Sequence, residues 1–512
     1  MPIHLRLFLV ILGLFFLSSC SSSKPTENDT DILPDTDTSS QDSEVVDEDS
    51  ASQDSDLQDS DFIDDSDEIP NQDDSDSESN DLDSDDEYSD EPEDEEDEEF
   101  DDSDGYKRCY DEIPDEPYEG LFADPNIEFQ IKKSLGYDDD YELKEEDLEK
   151  VKEIQLRSKD LRGVEKLVNL EYVRFSGENV YDFSYLSELK NLQKVRIYSK
   201  NITCLDESFS MLTNIEILEI ENTQLTDVSP IEQLVNLTRL ELSYNKLESL
   251  PKNIGNLQKL EFLSFANNNV ENIKPLKSLA NLKELFFHDN YVEDISPIKD
   301  LVNLKRMGCD NNNIKDISPV TNLVNLTYYL GLNQNRIKKI PKEITNLKKL
   351  QELDLTFNNI SNLPSLKGLN SLVTTRLSNN NLNNEDLVKL NDLKSLKFLD
   401  VALNKITKVP VMKDLESLQE LYLNYNNITD LSGFANNESF PALQSVYLGS
   451  NKISDAEALR NREGLLRLSI DNNCIKDLSP LEELQGNGTY ISGMNEQLES
   501  CEDTTIILGN GE

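Results

Sequence analysis

The chain has 512 residues, of which 48 are Lys or Arg and 103 are Asp or Glu, so its formal net charge is −55. It contains six cysteines, two histidines and no tryptophan. Such an acidic balance repels a phosphate backbone and excludes nucleic-acid binding through a basic surface. The acidity is concentrated near one end, because residues 21–104 carry 39 acidic side chains and one basic side chain.

The amino terminus has the pattern of an export signal. Arg6 precedes an unbroken apolar run over residues 7–17, which is too short to span a bilayer as a helix but suits the core of a signal peptide. The run ends in Leu17-Ser18-Ser19-Cys20, which resembles the lipobox of bacterial lipoproteins. The resemblance implies that residues 1–19 are removed and that Cys20 carries the lipid.

Two further points bear on the location of the protein. Ser21, where Asp would favour retention in the inner membrane, implies by the same resemblance the outer membrane or the cell surface. An ordinary signal peptide with an incidental cysteine is the alternative. The polar tract that follows argues against that alternative, because such tracts typically separate a lipid anchor from a folded domain.

Residues 20–104 are predicted to be a disordered linker behind the lipidated cysteine. Residues 21–104 contain only 12 apolar or aromatic side chains, too few to offset the entropy of ordering the segment. Carboxylates are also the ligands that Ca²⁺ prefers, so calcium binding is the alternative to a plain spacer. The best candidate loop, residues 101–105, has Phe100 where the first ligand would stand, so the sequence favours a solvated spacer.

Residues 105–150 are predicted to form a cap with a helix. Asp124 followed by Pro125 is a helix-start signal, and Gly136 follows the last apolar residue of the segment. Residues 145–148 then lead into the first predicted strand.

A repeat begins at about residue 150. Residues 237–247, 282–292 and 418–428 each follow the pattern L-x-x-L-x-L-x-x-N-x-L, with an apolar residue at every L. Fifteen such units have their third apolar residue between Leu156 and Ile470, at a mean spacing near 22 residues and lengths of 19 to 25. Two apolar residues separated by one point the same way from a strand, which predicts a parallel ladder facing a continuous core.

The ninth position of the motif is Asn in eleven units, where a buried amide would both donate to and accept from the backbone of the turn. The first four units have Lys159, Glu178, Lys200 and Thr223 there, so their turns are predicted to be less regular. In one unit Leu326 and Leu330 lie four residues apart instead of three, which predicts a one-residue bulge at the start of that strand.

These units resemble the leucine-rich repeat family over roughly residues 150–484. Four units continue with Asp-x-Ser-Pro, and Ser before Pro predicts an N-cap and a short helical segment on the convex side. This form resembles the internalin-like, SDS22-type repeats of bacterial surface proteins. Leu250-Pro251 and Ile340-Pro341 resemble a longer repeat type, so the array is mixed.

The resemblance implies an α/β solenoid, namely a leucine-rich repeat horseshoe with a parallel concave sheet. A helical N-terminal cap, similar to that of bacterial extracellular leucine-rich repeat proteins, and the disordered acidic linker precede it. The repeats are assigned to residues 151–484, and residues 485–512 to a C-terminal cap or tail.

With Cys20 lipidated, five cysteines remain. Cys309 occupies a core strand position and is predicted to be a buried thiol. The other four allow two disulfides in three connectivities. Cys474 with Cys501 is favoured because both are near the C-terminal end, and Cys109 with Cys204 is the weaker assignment.

The outward side chains of the concave sheet are the candidate binding surface. Parallel strands bring these positions into register about 4.8 Å apart, so that they form one broad surface. Exposed aromatic and Arg side chains on a rigid array are typical of protein recognition. The candidate residues are Arg174, Arg196, Tyr198, Tyr244, Phe262, Phe286, His288, Tyr329, Phe357, Phe398, Tyr422, Tyr425 and Tyr447.

The sequence offers little for catalysis. His288 is the one histidine after the signal peptide, and neither a second histidine nor a nucleophile accompanies it, so a contact residue is favoured over a metal or acid–base residue. The cysteine spacings do not describe a zinc site, and no Gly-rich phosphate loop is present. We expect no enzyme activity, cofactor or metal.

The sequence therefore predicts an exported, lipid-anchored protein of the bacterial outer membrane or cell surface, which binds a protein ligand through the concave face. The resemblance to internalins implies adhesion or recognition and does not identify the partner. Two alternatives remain: an envelope scaffold with a partner from the same cell, and a calcium-binding acidic surface protein.

Overall fold

The computed structural model describes residues 117–503, except residues 178 and 181. The predicted signal peptide, Cys20, the predicted acidic linker and Cys109 lie outside the described residues. Within them, sixteen strands form one parallel sheet in which each strand pairs with the next along the chain. The strands are β1 Glu153–Leu156, β2 Tyr172–Phe175, β3 Lys194–Tyr198, β4 Ile217–Glu221, β5 Arg239–Glu241, β6 Phe262–Ser264, β7 Glu284–Phe286, β8 Arg306–Gly308, β9 Tyr329–Gly331, β10 Glu352–Asp354, β11 Thr374–Arg376, β12 Phe398–Asp400, β13 Glu420–Tyr422, β14 Ser445–Tyr447, β15 Arg467–Ser469 and β16 Tyr490–Ser492.

The core follows the motif. Its second and third apolar residues lie in register from strand to strand, as where Leu218 of β4 pairs with Leu240 of β5, which pairs with Leu263 of β6. These side chains are fully buried, as are their equivalents along almost the whole array. The predicted α/β solenoid, a horseshoe with a parallel concave sheet, is confirmed.

The asparagines at the ninth position form a buried ladder, as predicted. Asn358 donates from Nδ2 to the carbonyl oxygens of Leu332, Leu355 and Thr356, at 2.9, 3.1 and 3.2 Å. Its Oδ1 accepts the N–H of Ile337 in the preceding unit at 3.0 Å. Each amide therefore stabilises the turns of two neighbouring repeats, because it bonds to backbone groups that the strands release.

The turns of the first three units are less regular, as predicted, whereas the fourth turn is regular. From Asn222 onward the eighth residue of each unit has a left-handed backbone, with φ between 51° and 59° up to Asn472, and its counterparts in the first three units do not. The expectation failed for the fourth unit because the hydroxyl of Thr223 replaces the amide. That hydroxyl accepts the Leu225 N–H and donates to Oδ1 of Asn245.

Short 3-10 helices return the chain on the convex side after most strands. The predicted N-cap Ser is instead the first helical residue, as Ser229 is in the helix whose N-cap is Val228. Asp227, one residue before the N-cap, accepts both the N–H and the hydroxyl of Ser229, at 2.8 and 3.0 Å. The Asp side chain accepts the backbone N–H two residues further along the chain, which has no partner within the helix because it belongs to the first turn. The 3-10 helices are Val164–Lys166, Phe183–Leu186, Glu207–Met211, Ser229–Gln233, Ile254–Asn256, Lys274–Ser278, Ser296–Ile298, Ser318–Asn322, Lys342–Asn346, Val388–Leu390, Ser432–Phe434, Glu457–Leu459 and Cys501–Asp503.

The predicted bulge before β9 is present. Thr327 and Tyr328 both donate to the carbonyl oxygen of Lys305, at 3.0 and 3.1 Å, and the strand register resumes with Tyr329 opposite Arg306. Tyr328 is the additional residue, and its side chain is exposed.

A helical cap covers the N-terminal end of the sheet. The N-terminal cap contains α1 (Pro125–Leu135), with Asp124 as its N-cap and Gly136 in a left-handed C-cap, and the single turn α2 (Glu145–Leu148). Ile127 and Ile131 of α1 are fully buried in the core. A further single turn, α3 (Asn384–Leu387), lies between β11 and β12.

The C-terminal end has one more strand than the motif predicts. Helix α4 (Ser479–Gly486) leads into β16, which pairs with β15 although residues 485–512 were assigned to a cap or tail. β16 therefore lies within the segment assigned to the cap or tail: it pairs through its backbone, buries only Ile491 and lacks the repeat motif.

The cysteines are placed as follows. A disulfide joins Cys474 and Cys501, whose Cα atoms are 5.5 Å apart. Cys204 is also disulfide-bonded, and its pairing with Cys109 stays a prediction because Cys109 lies outside the described residues. Cys309 is a free thiol, fully buried in the core, and burial raises its pKa.

Candidate protein-binding surface

We define the concave surface as the side chains at positions 3, 5 and 7 of the motif, which point away from the core. Ten of the thirteen candidates from the sequence lie there. Arg174, Arg196, Phe286, Tyr422 and Tyr447 occupy position 5 in the middle of the strands. Phe262, Tyr329 and Phe398 occupy position 3, and Tyr198 and His288 occupy position 7.

The three remaining candidates lie beside the concave surface. Tyr244, Phe357 and Tyr425 occupy position 8, in the turn that follows the strand, with φ of 59°, 52° and 55°. The sequence predicts that they lie on the concave face. The left-handed backbone redirects the chain at this residue, so they border the concave surface instead. Tyr244 and Tyr425 are exposed.

The first part of the concave surface is neutralised by its own ion pairs. Glu219 on β4 lies 3.2 Å from Nζ of Lys194, 3.7 Å from Nε of Arg196 and 3.6 Å from Nε of Arg239. Arg196 also lies 3.2 Å from Glu221. Arg196, which faces Arg174 across the strands, and Glu219, which faces Glu241, are thus offset by diagonal partners.

Aromatic rings cover the middle of the surface, where Gly308 and Gly331 occupy position 5. The guanidinium of Arg239 lies 3.5 Å from the ring centre of Phe262, and the rings of Phe262 and Phe286 are 5.8 Å apart. A Cβ on Gly308 would lie 3.0 Å from the Phe286 ring, and one on Gly331 would overlap the Tyr329 hydroxyl. The two glycines therefore leave the space in which these rings lie against the sheet.

Asp310 is a half-buried carboxylate that the sequence patterns did not indicate. It accepts the Tyr329 hydroxyl at 3.1 Å and the Asn333 N–H at 2.8 Å. Burial, with repulsion from Asp354 and Asp289, raises the pKa of Asp310 to about 7, although the two hydrogen bonds oppose the shift.

A second acidic group lies on β10 to β12. Glu352 and Arg376 form an ion pair. Asp354 and Asp400 accept the backbone N–H groups of residues 356 and 402, at 2.9 and 3.0 Å. Burial raises the pKa of both aspartates, and the charge of Arg376 opposes this.

A row of aromatic rings crosses β12 to β14. The rings of Phe398 and Tyr422 are 5.1 Å apart, and Tyr422 stacks on Tyr447 with 4.1 Å between centres and an 11° angle between planes. The Tyr422 hydroxyl donates to Glu420 at 3.2 Å. Burial and the neighbouring Tyr447 and Glu420 raise the pKa of Tyr422, which is therefore neutral at physiological pH.

His288 is half-buried, and burial lowers its pKa despite nearby Asp289 and Glu241. Between residues 117 and 503, no group of three or more His, Cys, Asp or Glu side chains is arranged to hold a metal ion. In the same range, no helix has the length and apolar character needed to cross a bilayer.

The aromatic and basic side chains that identify the concave candidates do not include Asp310, Asp354, Asp400 or the two glycines, so the sequence pattern missed these residues. Their positions could have been found, since all five occupy position 5 or 7 of their units. The burial of these residues could not be predicted from the sequence, because it depends on side chains from neighbouring strands.

Family comparisons agree with the geometry. Residues 303–444 match a leucine-rich repeat region, residues 258–300 a two-copy leucine-rich repeat and residues 236–257 a single leucine-rich repeat. A comparison with curated protein sequences gives no match.

Solved structures show the same fold. An internalin (InlF) of Listeria monocytogenes is 25% identical, with a TM-score of 0.51, covering 72% of this chain and 95% of that one. A leucine-rich repeat protein of Leptospira interrogans is 26% identical, with a TM-score of 0.57, covering 68% and 97%. The functional domain of InlJ from Listeria monocytogenes is 22% identical, with a TM-score of 0.59, covering 72% and 79%. Residues 236–444 therefore match leucine-rich repeats in sequence, and the fold is similar to that of internalins.

Proposed function

We propose that this chain is a non-enzymatic lipoprotein of the bacterial outer membrane or cell surface, whose solenoid binds a protein partner in adhesion or recognition. Cys20 carries the lipid, and residues 21–104 hold the repeats away from the membrane. The partner binds the concave surface and the turn residues beside it, at the thirteen side chains selected from the sequence.

The main support for the proposal is the row of aromatic side chains on a rigid parallel sheet. Tyr198, Phe262, Phe286, Phe398 and Tyr447 all project from one face of the sheet, where Tyr198 is exposed and the other four are half-buried. Aromatic side chains at such positions provide apolar contact area with few rotatable bonds, which favours protein binding. The internalin-like fold supports the same conclusion.

The anchor is supported by the lipobox-like pattern and by the charge of the linker. A triacylated cysteine would bind a membrane stably, whereas a single chain binds it only marginally. A linker of 84 residues with 39 carboxylates is extended by self-repulsion, so it allows the repeats to reach a partner at a distance.

A photo-crosslinking experiment in intact bacteria tests the binding surface. The photoreactive residue p-benzoylphenylalanine replaces Tyr198 or Tyr447 on the concave surface and, as matched controls, Val235 or Val324, two exposed apolar residues that follow convex 3-10 helices. We expect a discrete protein adduct from the concave positions only. Adducts from all four positions, or from none, would contradict concave-face binding.

Protease treatment of intact cells tests the anchor and distinguishes the alternatives. Wild-type repeats should fractionate with membranes and disappear on protease treatment, and Cys20→Ala should release them into the medium. Repeats that stay protected in intact cells would favour an envelope scaffold with a partner from the same cell. A calcium-binding role would instead appear as calorimetric binding of Ca²⁺ to the full chain that is lost when residues 21–104 are deleted.

A further inference from the structure

The two parts of the concave surface differ in how their charges are compensated. On β3 to β5 the carboxylates of Glu219, Glu221 and Glu241 lie within 4.0 Å of Arg196 or Arg239. The protein's own arginines therefore compensate the negative charges of that part. On β10 to β13 the concave surface holds four carboxylates, Glu352, Asp354, Asp400 and Glu420, and one guanidinium, that of Arg376.

The single base does not neutralise these acids. Arg376 is paired with Glu352. Asp354 and Asp400 receive hydrogen bonds from neutral backbone groups, and Glu420 receives one from a neutral phenol. The group keeps a formal charge of −3 at a partly desolvated site, and carboxylates in such a site are stabilised when a cation approaches.

Aromatic rings lie directly beside these acids. Phe398, Tyr422 and Tyr447 continue the surface across β12 to β14, and the guanidinium of Arg376 already lies 5.3 Å from the ring centre of Phe398. A planar guanidinium stacks on aromatic faces while donating to carboxylates, and a Lys ammonium binds both groups more weakly. We call Glu352, Asp354, Phe398, Asp400, Glu420, Tyr422 and Tyr447 the acidic aromatic surface.

The geometry points to a basic protein segment, with Arg or Lys side chains spaced along an extended chain, as the occupant of the acidic aromatic surface. This inference rests on the proposed function and specifies its partner. Charge complementarity selects the occupant, because an acidic segment or a phosphate would meet uncompensated carboxylates. Five strands span about 19 Å, which is the length of about six residues of extended chain.

A peptide selection identifies the sequence that the acidic aromatic surface prefers. A library of random displayed peptides is selected on the full chain and counter-selected on the variant Asp354→Asn/Asp400→Asn/Glu420→Gln. This variant keeps the side-chain shapes, and its melting temperature checks that it folds. Counter-selection removes peptides that bind the acidic linker, because the linker is identical in both proteins.

The matched control is Glu248→Gln/Glu271→Gln/Glu463→Gln, which removes the same charge from exposed residues away from the concave surface. We expect the selected peptides to contain Arg or Lys and to lose at least about tenfold in affinity on the first variant. On the control variant the affinity should change less than about twofold. Replacing the Arg of a selected peptide by its neutral isostere citrulline should give the same loss as the first variant.

The outcomes separate the two proposals. Neutral or acidic peptides that lose affinity on Tyr422→Ala/Tyr447→Ala overturn the basic segment and leave concave-face protein binding in place. Basic peptides that bind both triple variants equally, or no enrichment over the counter-selection, overturn the acidic aromatic surface as the docking site. If the concave positions also give no crosslinked adduct, the proposed function fails with it.

Discussion

At the scale of the residue, the asparagine ladder links sequence to stability most directly. Asn358 forms four hydrogen bonds to backbone groups of two adjacent repeats, and its side chain is buried. Without the amide, these backbone groups would be left in the protein interior without partners. One side chain therefore determines the conformation of two turns.

We expect Asn358→Ala to lower the free energy of unfolding by about 2–4 kcal/mol, because it leaves several buried backbone groups unpaired. Chemical denaturation followed by circular dichroism measures the change. The matched control is Asn359→Ala, whose side chain is exposed and which should change stability by less than about 0.5 kcal/mol. Equal effects of the two changes would disprove the structural role of the ladder.

Asp310 gives a prediction with a definite pH dependence. Its pKa is raised to about 7 in the folded protein by burial and by Asp354 and Asp289, so the folded state binds the proton more tightly than the unfolded state. The stabilising effect of that proton is present below about pH 4 and is lost as the pH rises through 7.

We therefore expect Asp310→Asn to raise the free energy of unfolding at pH 8 by at least about 1 kcal/mol over the wild type, with a smaller difference at pH 5. The amide still accepts the Asn333 N–H and bonds to the Tyr329 hydroxyl. Urea denaturation at both pH values measures the effect, and Asp300→Asn, an exposed site with the same charge change, is the control. A pH-independent difference would rule out the titration of Asp310 as the cause.

At the scale of the element, the bulge before β9 shows how the array accommodates an additional residue. Tyr328 is exposed and precedes the paired residues, so the register from Tyr329 onward matches that of β8. The additional residue therefore lies outside the ladder, and the alternation of buried and exposed side chains in β9 is preserved.

Deletion of Tyr328 should change the free energy of unfolding by less than about 1 kcal/mol, because it restores the usual spacing of the motif. Deletion of Gly331, within the strand, should destabilise by more than about 4 kcal/mol, because it turns Leu332 away from the core. Denaturation midpoints of the two deletion variants test this contrast. Similar losses in the two would show that Tyr328 is part of the strand.

At the scale of the whole molecule, the stability of the array depends mainly on contacts between neighbouring repeats. Each strand pairs only with the strand before and after it, so stability along the array is a sum of local terms. The disulfide between Cys474 and Cys501 closes a separation of 27 residues around β16, where the repeat motif is absent. It therefore stabilises the C-terminal end, where the sequence supplies few apolar side chains.

Replacing both cysteines by serine should destabilise β15 and β16 by roughly 3 kcal/mol and leave β5 to β7 unchanged. Hydrogen exchange followed by mass spectrometry measures both regions in one experiment, so β5 to β7 serve as the internal control. We expect exchange at β16 to be roughly 100-fold faster. Uniformly faster exchange along the whole sheet would contradict independent stabilisation of the repeats.

The repeat, its register and its buried face could all be predicted from the sequence. Leucines spaced by two, Asn at the ninth position and Asp124 with Gly136 around α1 are local signals, because each depends on backbone geometry within a few residues. Similar local signals predicted the bulge before β9 and the buried thiol of Cys309. The candidate aromatic positions on the strands followed from the same alternation.

The charge compensation and packing of the outward side chains, by contrast, depend on the folded array. The diagonal pairing of Glu219 with Arg239, the burial of Asp310 and the stacking of Tyr422 on Tyr447 join residues from different repeats. Folding also places Tyr244 and Phe357 in left-handed turns and adds β16, which pairs through its backbone without the motif. The physical reason is that charge compensation and strand pairing depend on distances between repeats, whereas the motif specifies only the conformation within each repeat.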